Sequence, residues 1–188
     1  MRASKLTRKV KSSESDFFIR KLGPVENWTV EVSTDASLSN LNEGVDSVEA
    51  RIILVKNDKG DCAPLLWGAN KIKRIVDSTL EAECLSLLSG LKEAIYTREV
   101  IEEIFNLKDK AVPVKAIVDN KSTVDAIYST APLEDKKLRR DVARIKQMLN
   151  RKEIRSVSWC PGREQSADCM TKRTASLFNL MQMKSGRK

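Results

Sequence analysis

The stretch WTVEVSTD, from Trp28 to Asp35, places Val30, Val32 and Thr34 in alternation with polar residues. This period of two predicts a β-strand with one buried face, and the strand ends on the carboxylate of Asp35. A second run, from Val114 to Asp119, is nearly all apolar and also ends on an aspartate. Such a run predicts a strand that is buried on both faces. The two runs together predict two strands that each carry an aspartate at the carboxyl end.

Further strands and helices are predicted around these two. Strands are predicted at Val48–Lys56, at Ala63–Trp67 and at Ile154–Cys160. Helices are predicted from Ser78 or Thr79, in a second piece from Thr97 to about Leu107, from Ser122 to Tyr128, from Pro132 to about Arg151, and from Gln165 or Ser166 onward. This order of elements predicts an α/β layer fold with a mixed sheet, an antiparallel meander on one side and parallel strands on the other.

Composition limits the classes of function. The 188 residues suffice for one domain with a hydrophobic core. The net charge of +8 favours an anionic partner, above all nucleic acid, over a basic surface that has no binding function. Histidine is absent, which excludes catalytic triads with histidine and histidine metal ligands. Any metal must therefore be held by carboxylates or cysteines.

The four cysteines form no Cys-x-x-Cys pair, which argues against zinc and predicts reduced, buried thiols of an intracellular protein. No signal peptide or membrane-spanning stretch is apparent, so we expect a protein that is neither secreted nor bound to a membrane. Three regions are predicted: a basic leader and linker at residues 1–26, one domain at residues 27–182, and a basic tail at residues 183–188.

Four acidic residues, each in its own short motif, carry the chemistry: Asp35, Glu83, Asp119 and Asp168. On the predicted fold all four can converge at one edge of the sheet. Carboxylates gathered in this way repel one another unless a cation lies between them, and oxygen ligands alone favour Mg²⁺ or Mn²⁺. Two such ions about 3.5–4 Å apart would bridge the four carboxylates. Glu81 competes with Glu83, since they lie about 200° apart on a helix and periodicity does not choose between them.

The motif set resembles the ribonuclease H domain of copia-type long-terminal-repeat retrotransposons, a part of their Pol polyprotein. The resemblance covers roughly residues 28 to 175 and is carried by five motifs in the family's order: Ser33–Ser37 with Asn40, Trp67–Arg74, Ser78–Glu83, Asp119–Ser122 and Gln165–Lys172. It implies a ribonuclease H-like fold, an α/β fold with a five-stranded mixed sheet flanked by helices. Strands 1–3 would be antiparallel and strands 4 and 5 parallel.

The resemblance also implies an activity and roles for residues. The activity would be metal-dependent hydrolysis of the RNA strand of RNA–DNA hybrids, within retrotransposon reverse transcription, with an upstream reverse transcriptase domain as partner. Asp35 and Asp119 would hold both ions, Glu83 would position the ion on the leaving-group side, and Asp168 would complete the site on the nucleophile side. The family pattern favours Glu83 over Glu81, which becomes a surface or capping residue. The location would be the cytoplasm, including virus-like particles, or the nucleus.

Residues around the acids are candidates for nucleic-acid contacts. Lys71, Lys73 and Arg74 would clamp phosphates, or else form a solvated basic loop. Small polar residues would read 2′-hydroxyl groups, or else form turns: Ser37, Asn40, Asn120 and Ser122. Trp67 and Trp159 are predicted to lie in the core rather than to stack on bases.

Two other functions stay open. In the first, the chain is a remnant of a Pol polyprotein that binds RNA or RNA–DNA hybrids. Such a remnant has kept the fold and the positive charge and has lost catalytic activity. An integrase of the same superfamily is a third reading, and the Ala-Asp-x-x-Thr-Lys ending at Ala167–Lys172 argues against it.

Overall fold

The computed structural model of the protein describes residues 21–38 and 47–171. Most of the predicted leader and all of the predicted tail lie outside these ranges, as does Asn40. We number the elements in chain order: β1 Thr29–Ser37, β2 Val48–Lys56, β3 Cys62–Lys71, α1 Thr79–Ile104, β4 Val114–Val118, α2 Lys121–Tyr128, α3 Lys136–Asn150, β5 Ser156–Trp159 and α4 Asp168–Thr171. Single 3-10 turns lie at Val25–Asn27 and Gly162–Glu164.

The strands form one five-stranded sheet in the order β3-β2-β1-β4-β5. The β1–β2 and β2–β3 pairs are antiparallel, and the β1–β4 and β4–β5 pairs are parallel. The predicted mixed sheet is therefore confirmed. Its central strand is β1, which pairs with β4 so that Ser33 lies opposite Ile117. As a result, the residues that follow β1 and β4 emerge at the same edge of the sheet.

Helix α1 covers one face of the sheet. Val30 and Val32 of β1 pack with Leu87 and Leu91 of α1 in the main hydrophobic core. The helix approaches β1 closely at Gly90, where an added Cβ would lie 2.5 Å from a methyl carbon of Thr34. On the opposite face, Ile52, Leu54 and Cys62 form a smaller cluster that Met170 contacts. Both faces of the sheet therefore carry buried apolar residues.

Helix α1 is continuous over 26 residues, so the predicted break near Thr97 is wrong. The hydroxyl of Thr97 donates to the carbonyl of Glu93 at 2.8 Å, which lets this residue sit within the helix. At the other end, Ser78 caps the helix by accepting from the amide of Glu81 at 3.1 Å. The predicted start of α1 is confirmed.

Two tryptophans do not lie in the core, contrary to the prediction. Trp67 is 58% exposed and Trp159 is 51% exposed. They lie on β3 and β5, the two edge strands of the sheet. An edge strand has a neighbouring strand on one side only, so a strand pattern there does not ensure that its side chains are buried. In the described ranges, no helix has the length and apolar character needed to cross a membrane.

Candidate active site

Three of the four predicted carboxylates lie together. Asp35, Asp119 and Asp168 each present an oxygen atom, and these oxygens all lie within 4.8 Å of one another. The sheet accounts for the first two, because Asp35 and Asp119 each lie two residues beyond the paired residues Ser33 and Ile117 of parallel neighbours. The third, Asp168, is the first residue of α4, which contacts β1.

A cation fits this cluster by its chemistry. Three carboxylates so close together repel, and a divalent cation removes that repulsion. Beside the cluster, a Cβ added at Gly162 would lie 3.4 Å from Oδ2 of Asp119. The loop after β5 thus leaves room at this carboxylate that a larger residue would fill.

Two cysteine thiols near the acids are poor ligands. The pKa of the Cys84 thiol is raised to about 12, mainly by burial and to a smaller extent by the nearby carboxylates of Asp141 and Glu83. Burial also raises the pKa of Cys169, with added effects from Asp168 and Asp35. Both thiols are therefore neutral near pH 7 in the metal-free protein, and neither belongs to the group of clustered oxygens. The clustered atoms are carboxylate oxygens, which are suitable donors for a hard divalent cation.

Glu83 does not belong to the group of three residues whose oxygens lie together. Helix α1 runs antiparallel to β1: Gly90 contacts Thr34, and one turn earlier the hydroxyl of Ser86 donates to the carbonyl of Asp35 at 2.9 Å. Continuing the same way, Glu83 lies one turn further toward the carboxyl end of β1. It is 4% exposed, so its carboxylate is buried in the protein at this end of the sheet.

Glu81 has a different task. Its carboxylate accepts from the amide of Asp77 at 2.9 Å and from the guanidinium of Arg74 at 3.0 Å. Together with the Ser78 cap, this arrangement closes the first turn of α1 much as a capping box does. Glu81 is 2% exposed, so it is a buried capping residue and not a surface one.

Side chains that the sequence prediction did not assign hold the cluster in place. The hydroxyl of Thr171 donates to Oδ2 of Asp35, and the amide of Gln165 donates to the carbonyl of Thr34 at 2.9 Å. The indole N–H of Trp159 donates to the carbonyl of Asp119 at 2.9 Å. Gln165 and Thr171 belong to the same motif as Asp168, so their position in that motif could have identified them from the sequence. For Trp159 the sequence carried none.

Of the residues predicted to contact nucleic acid, some are exposed and others are engaged in contacts within the protein. Ser37 ends β1, Lys71 ends β3, and Lys71, Lys73 and Ser122 are exposed. The side chain of Asn120 caps α2 by accepting from the amide of Thr123 at 3.2 Å.

Arg74 points into the protein. Its guanidinium pairs with Glu81 at 3.0 Å and with Asp141 of α3 at 2.6 Å. Burial alone would lower the pKa of Arg74, but the hydrogen bonds and charges of these two acids outweigh burial and raise it. Arg74 thus joins α1 to α3. This structural task accounts for its charge without a nucleic-acid partner.

The comparisons with known proteins concern the fold. No family model matches the sequence, and no curated protein does. Among solved structures, the protein is similar to ribonuclease H1 from Halobacterium salinarum, with 18% identity, a TM-score of 0.53, and coverage of 75% of this chain and 92% of that one. It is also similar to the N-terminal ribonuclease H domain of a Mycobacterium tuberculosis protein, with 18% identity, a TM-score of 0.53, and coverage of 84% and 97%.

A third similar structure is the LC11 ribonuclease H1 in complex with an RNA/DNA hybrid, with 15% identity, a TM-score of 0.52, and coverage of 81% of this chain and 99% of that one. At these identities the likeness concerns architecture. The strand order, the strand directions and the flanking helices match those domains, and the protein has a ribonuclease H-like fold.

Proposed function

We propose that this protein is a metal-dependent endonuclease that hydrolyses the RNA strand of RNA–DNA hybrids. One observation carries the proposal: on a ribonuclease H-like fold, Asp35, Asp119 and Asp168 bring carboxylate oxygens within 4.8 Å of one another. Solved structures with this fold include a ribonuclease H1 that holds such a hybrid. The net charge of +8 suits a polyanionic substrate.

The residues of the chain would share the work as follows. Asp35, Asp119 and Asp168 would hold the divalent ions, and Glu83 would add a fourth carboxylate from α1. Bound Mg²⁺ or Mn²⁺ ions would supply activation of the attacking water and stabilisation of the leaving 3′ oxygen. Thr171 orients the Asp35 carboxylate through its hydroxyl, which limits the positions that this ligand can take.

Substrate contacts would come from residues around the same edge. Lys71 and Lys73 would bind phosphates, and Ser37, Asn120 and Ser122 would contact the sugar of the RNA strand. Asn40 lies outside the described residues, and Arg74 is engaged in ion pairs with Glu81 and Asp141. Lys71 and Lys73 are therefore the stronger candidates in this basic segment.

The motifs further support an origin in a copia-type retrotransposon Pol polyprotein. In that setting the domain would follow a reverse transcriptase domain and remove RNA from the hybrids that the polymerase makes. It would work inside the cell, in the cytoplasm, including virus-like particles, or in the nucleus. The motif at Gln165–Lys172 and the Asp119–Ser122 motif support this origin.

The test is cleavage of an RNA–DNA hybrid labelled on the RNA strand, followed in Mg²⁺, in Mn²⁺ and in EDTA. We expect the protein to cut the RNA strand only with a divalent ion, and Asp35→Asn to abolish cutting, because it removes a charged ligand shared with two other aspartates. Asp58→Asn makes the same chemical change at an exposed turn and serves as the control.

Two outcomes would count against this function. Full activity of Asp35→Asn would remove Asp35 from the site. Tight binding of the hybrid without cutting in either ion would favour the binding remnant. Matched RNA and DNA duplexes show whether the activity is selective for the hybrid.

A further inference from the structure

An apolar groove lies on the surface of the described domain. It encloses about 500 Å³, and none of the described residues that line it has a charged side chain. Its walls include six residues that define it here: Leu22, Trp28, Leu65, Tyr96, Val100 and Ile104. They come from the chain before β1, from β3 and from the second half of α1.

The groove is far from the candidate active site. Val55, near the carboxyl end of β2, also lines it. Because β2 is antiparallel to β1, with Thr29 opposite Lys56, this region lies beside the amino end of β1. Asp35 is at the other end of that strand. A groove without charge is also no place for a phosphate backbone, so nucleic acid is not its ligand.

The groove exposes large apolar side chains. Ile104 is 71% exposed, Tyr96 is 68% exposed and Leu65 is 48% exposed. Contiguous apolar surface of this kind marks a place where another apolar surface binds.

The chain itself supplies a matching segment. Leu22 already lies in the groove and is only 9% exposed. The residues Phe17, Phe18 and Ile19 form a continuous apolar run that ends three residues before Leu22. Three to five residues reach at most about 10–18 Å, which keeps this run within range of the groove walls.

We propose that Phe17, Phe18 and Ile19 bind in the apolar groove and fix the basic leader to the domain. The proposal does not depend on the proposed function. A tether of so few residues gives the run an effective concentration in the millimolar range or above at the groove. A second copy of the chain, binding from solution, would have to compete with this high effective concentration. The intramolecular partner is therefore favoured.

A photo-crosslink in the full chain tests the contact. We place p-benzoyl-L-phenylalanine at position 18 in place of Phe18, irradiate, and map the crosslinked peptides by mass spectrometry. We expect crosslinks to the groove, within Tyr96–Ile104 or at Leu65. The same probe in place of Arg8, in the basic part of the leader, is the control and is expected not to react with the groove.

Mixing labelled and unlabelled protein separates contacts within one chain from contacts between chains. Crosslinks between differently labelled chains would overturn the proposal in favour of a second copy. Crosslinks from position 18 to other parts of the domain, or none at all, would also overturn it.

Stability gives a second, independent readout. Phe17→Asp with Phe18→Asp removes the apolar run, and we expect the Tm to fall by about 4 °C or more. Ser12→Asp with Ser13→Asp adds the same two charges to the leader and is expected to leave the Tm unchanged. Equal Tm values for the two variants would contradict the binding of this segment in the groove.

A reciprocal change completes the test. Tyr96→Asp alters a groove residue that is 68% exposed, so it leaves the core intact. If the segment binds there, combining it with the Phe17 and Phe18 changes lowers the Tm by less than the sum of the separate effects. Full additivity would contradict a contact between the two.

Discussion

Glu81 and Glu83 are two residues apart on α1 and differ in their surroundings. Glu81 is bound by Arg74 and by the amide of Asp77, so its carboxylate closes the first turn of the helix. Glu83 lies on the side of the helix that runs along β1 toward Asp35. A single helix turn thus carries one buried carboxylate that caps the helix and a second buried carboxylate for which the proposed function predicts a role in the active site.

Substituting each of the two glutamates separates these roles. We expect Glu83→Gln to lower hybrid cleavage on the order of 100-fold while the Tm stays near that of the wild type, because a charge is lost beside the metal ligands. We expect Glu81→Gln to cost about 1–2 kcal/mol of stability and to keep most of the activity, because a buried cap is weakened. Cleavage rates and thermal unfolding measure the two effects.

Each variant is the control for the other. The reverse pattern, with activity lost in Glu81→Gln and kept in Glu83→Gln, would exchange their roles. Equal loss of stability in both would mean that Glu83 is also a structural carboxylate.

At the scale of elements, the close approach of α1 to β1 depends on Gly90. A Cβ at this position would lie 2.5 Å from a methyl carbon of Thr34 and 3.2 Å from one of Val32. We expect Gly90→Ala to cost about 1–3 kcal/mol, because it forces the helix away from the sheet. Urea unfolding measures this cost.

Gly68→Ala is the matched control for Gly90→Ala. Its added Cβ would lie no closer than 3.7 Å to Arg51, so the methyl group fits. A Gly90→Ala variant as stable as Gly68→Ala would contradict the close packing of α1 on β1.

The segment between β3 and α1 holds two neighbouring cations with different tasks. Arg74 pairs with Glu81 and Asp141, both 2% exposed, whereas Lys73 is exposed. We expect Arg74→Gln to lower stability by about 2 kcal/mol, a value below that of a fully buried pair because Arg74 is partly exposed to solvent. We expect Lys73→Gln to leave stability unchanged.

Binding of the hybrid distinguishes the two cations as well. Lys73→Gln is expected to weaken binding and to reduce the salt slope by about 1, as the loss of one phosphate contact does. The measurement is affinity against salt concentration, with Ca²⁺ in place of Mg²⁺. An unchanged salt slope would show that Lys73 is only part of a solvated loop.

The elements that the sequence predicted well are those with a clear period. The runs behind β1, β2 and β4 alternate or stay apolar, and the structure places all three strands near the predicted bounds. The extension of β3 to Lys71 was not predictable in this way, because Gly68 to Lys71 are polar or small. These residues form part of the strand because they pair with β2 as far as its first residue, Val48, which lies opposite Lys71.

At the scale of the whole molecule, the carboxylate cluster should couple metal binding to stability. We expect Mg²⁺ at about ten times its dissociation constant to stabilise the fold by ~1.4 kcal/mol, because only the folded chain brings Asp35, Asp119 and Asp168 together. The corresponding rise in Tm is about 3–6 °C. Thermal unfolding with Mg²⁺, and with NaCl at equal ionic strength, measures this rise.

Asp35→Asn is the control for this coupling. It removes one of the repelling charges, so the metal-free protein should be at least as stable as the wild type while the rise with Mg²⁺ is lost. An equal rise for both proteins would mean that Mg²⁺ acts elsewhere on the chain.

The site was predictable in outline because strand ends are local features. Asp35 and Asp119 each follow a recognisable run, and parallel neighbours bring their ends to one edge. Bonds such as that from Trp159 to the carbonyl of Asp119 were not predictable, since they depend on where β5 ends relative to β4. The exposure of Trp159 follows from the same geometry and also lay beyond the sequence pattern.

The parallel pairing of β1 with β4 has a consequence for synthesis. The three clustered aspartates are contributed by the early, middle and late parts of the chain, so no nascent fragment that stops before Asp168 contains them all. The cluster can assemble only after the ribosome has passed that codon and the late segment has returned to β1. Prematurely terminated translation products therefore lack the complete carboxylate cluster, however well their first strands fold.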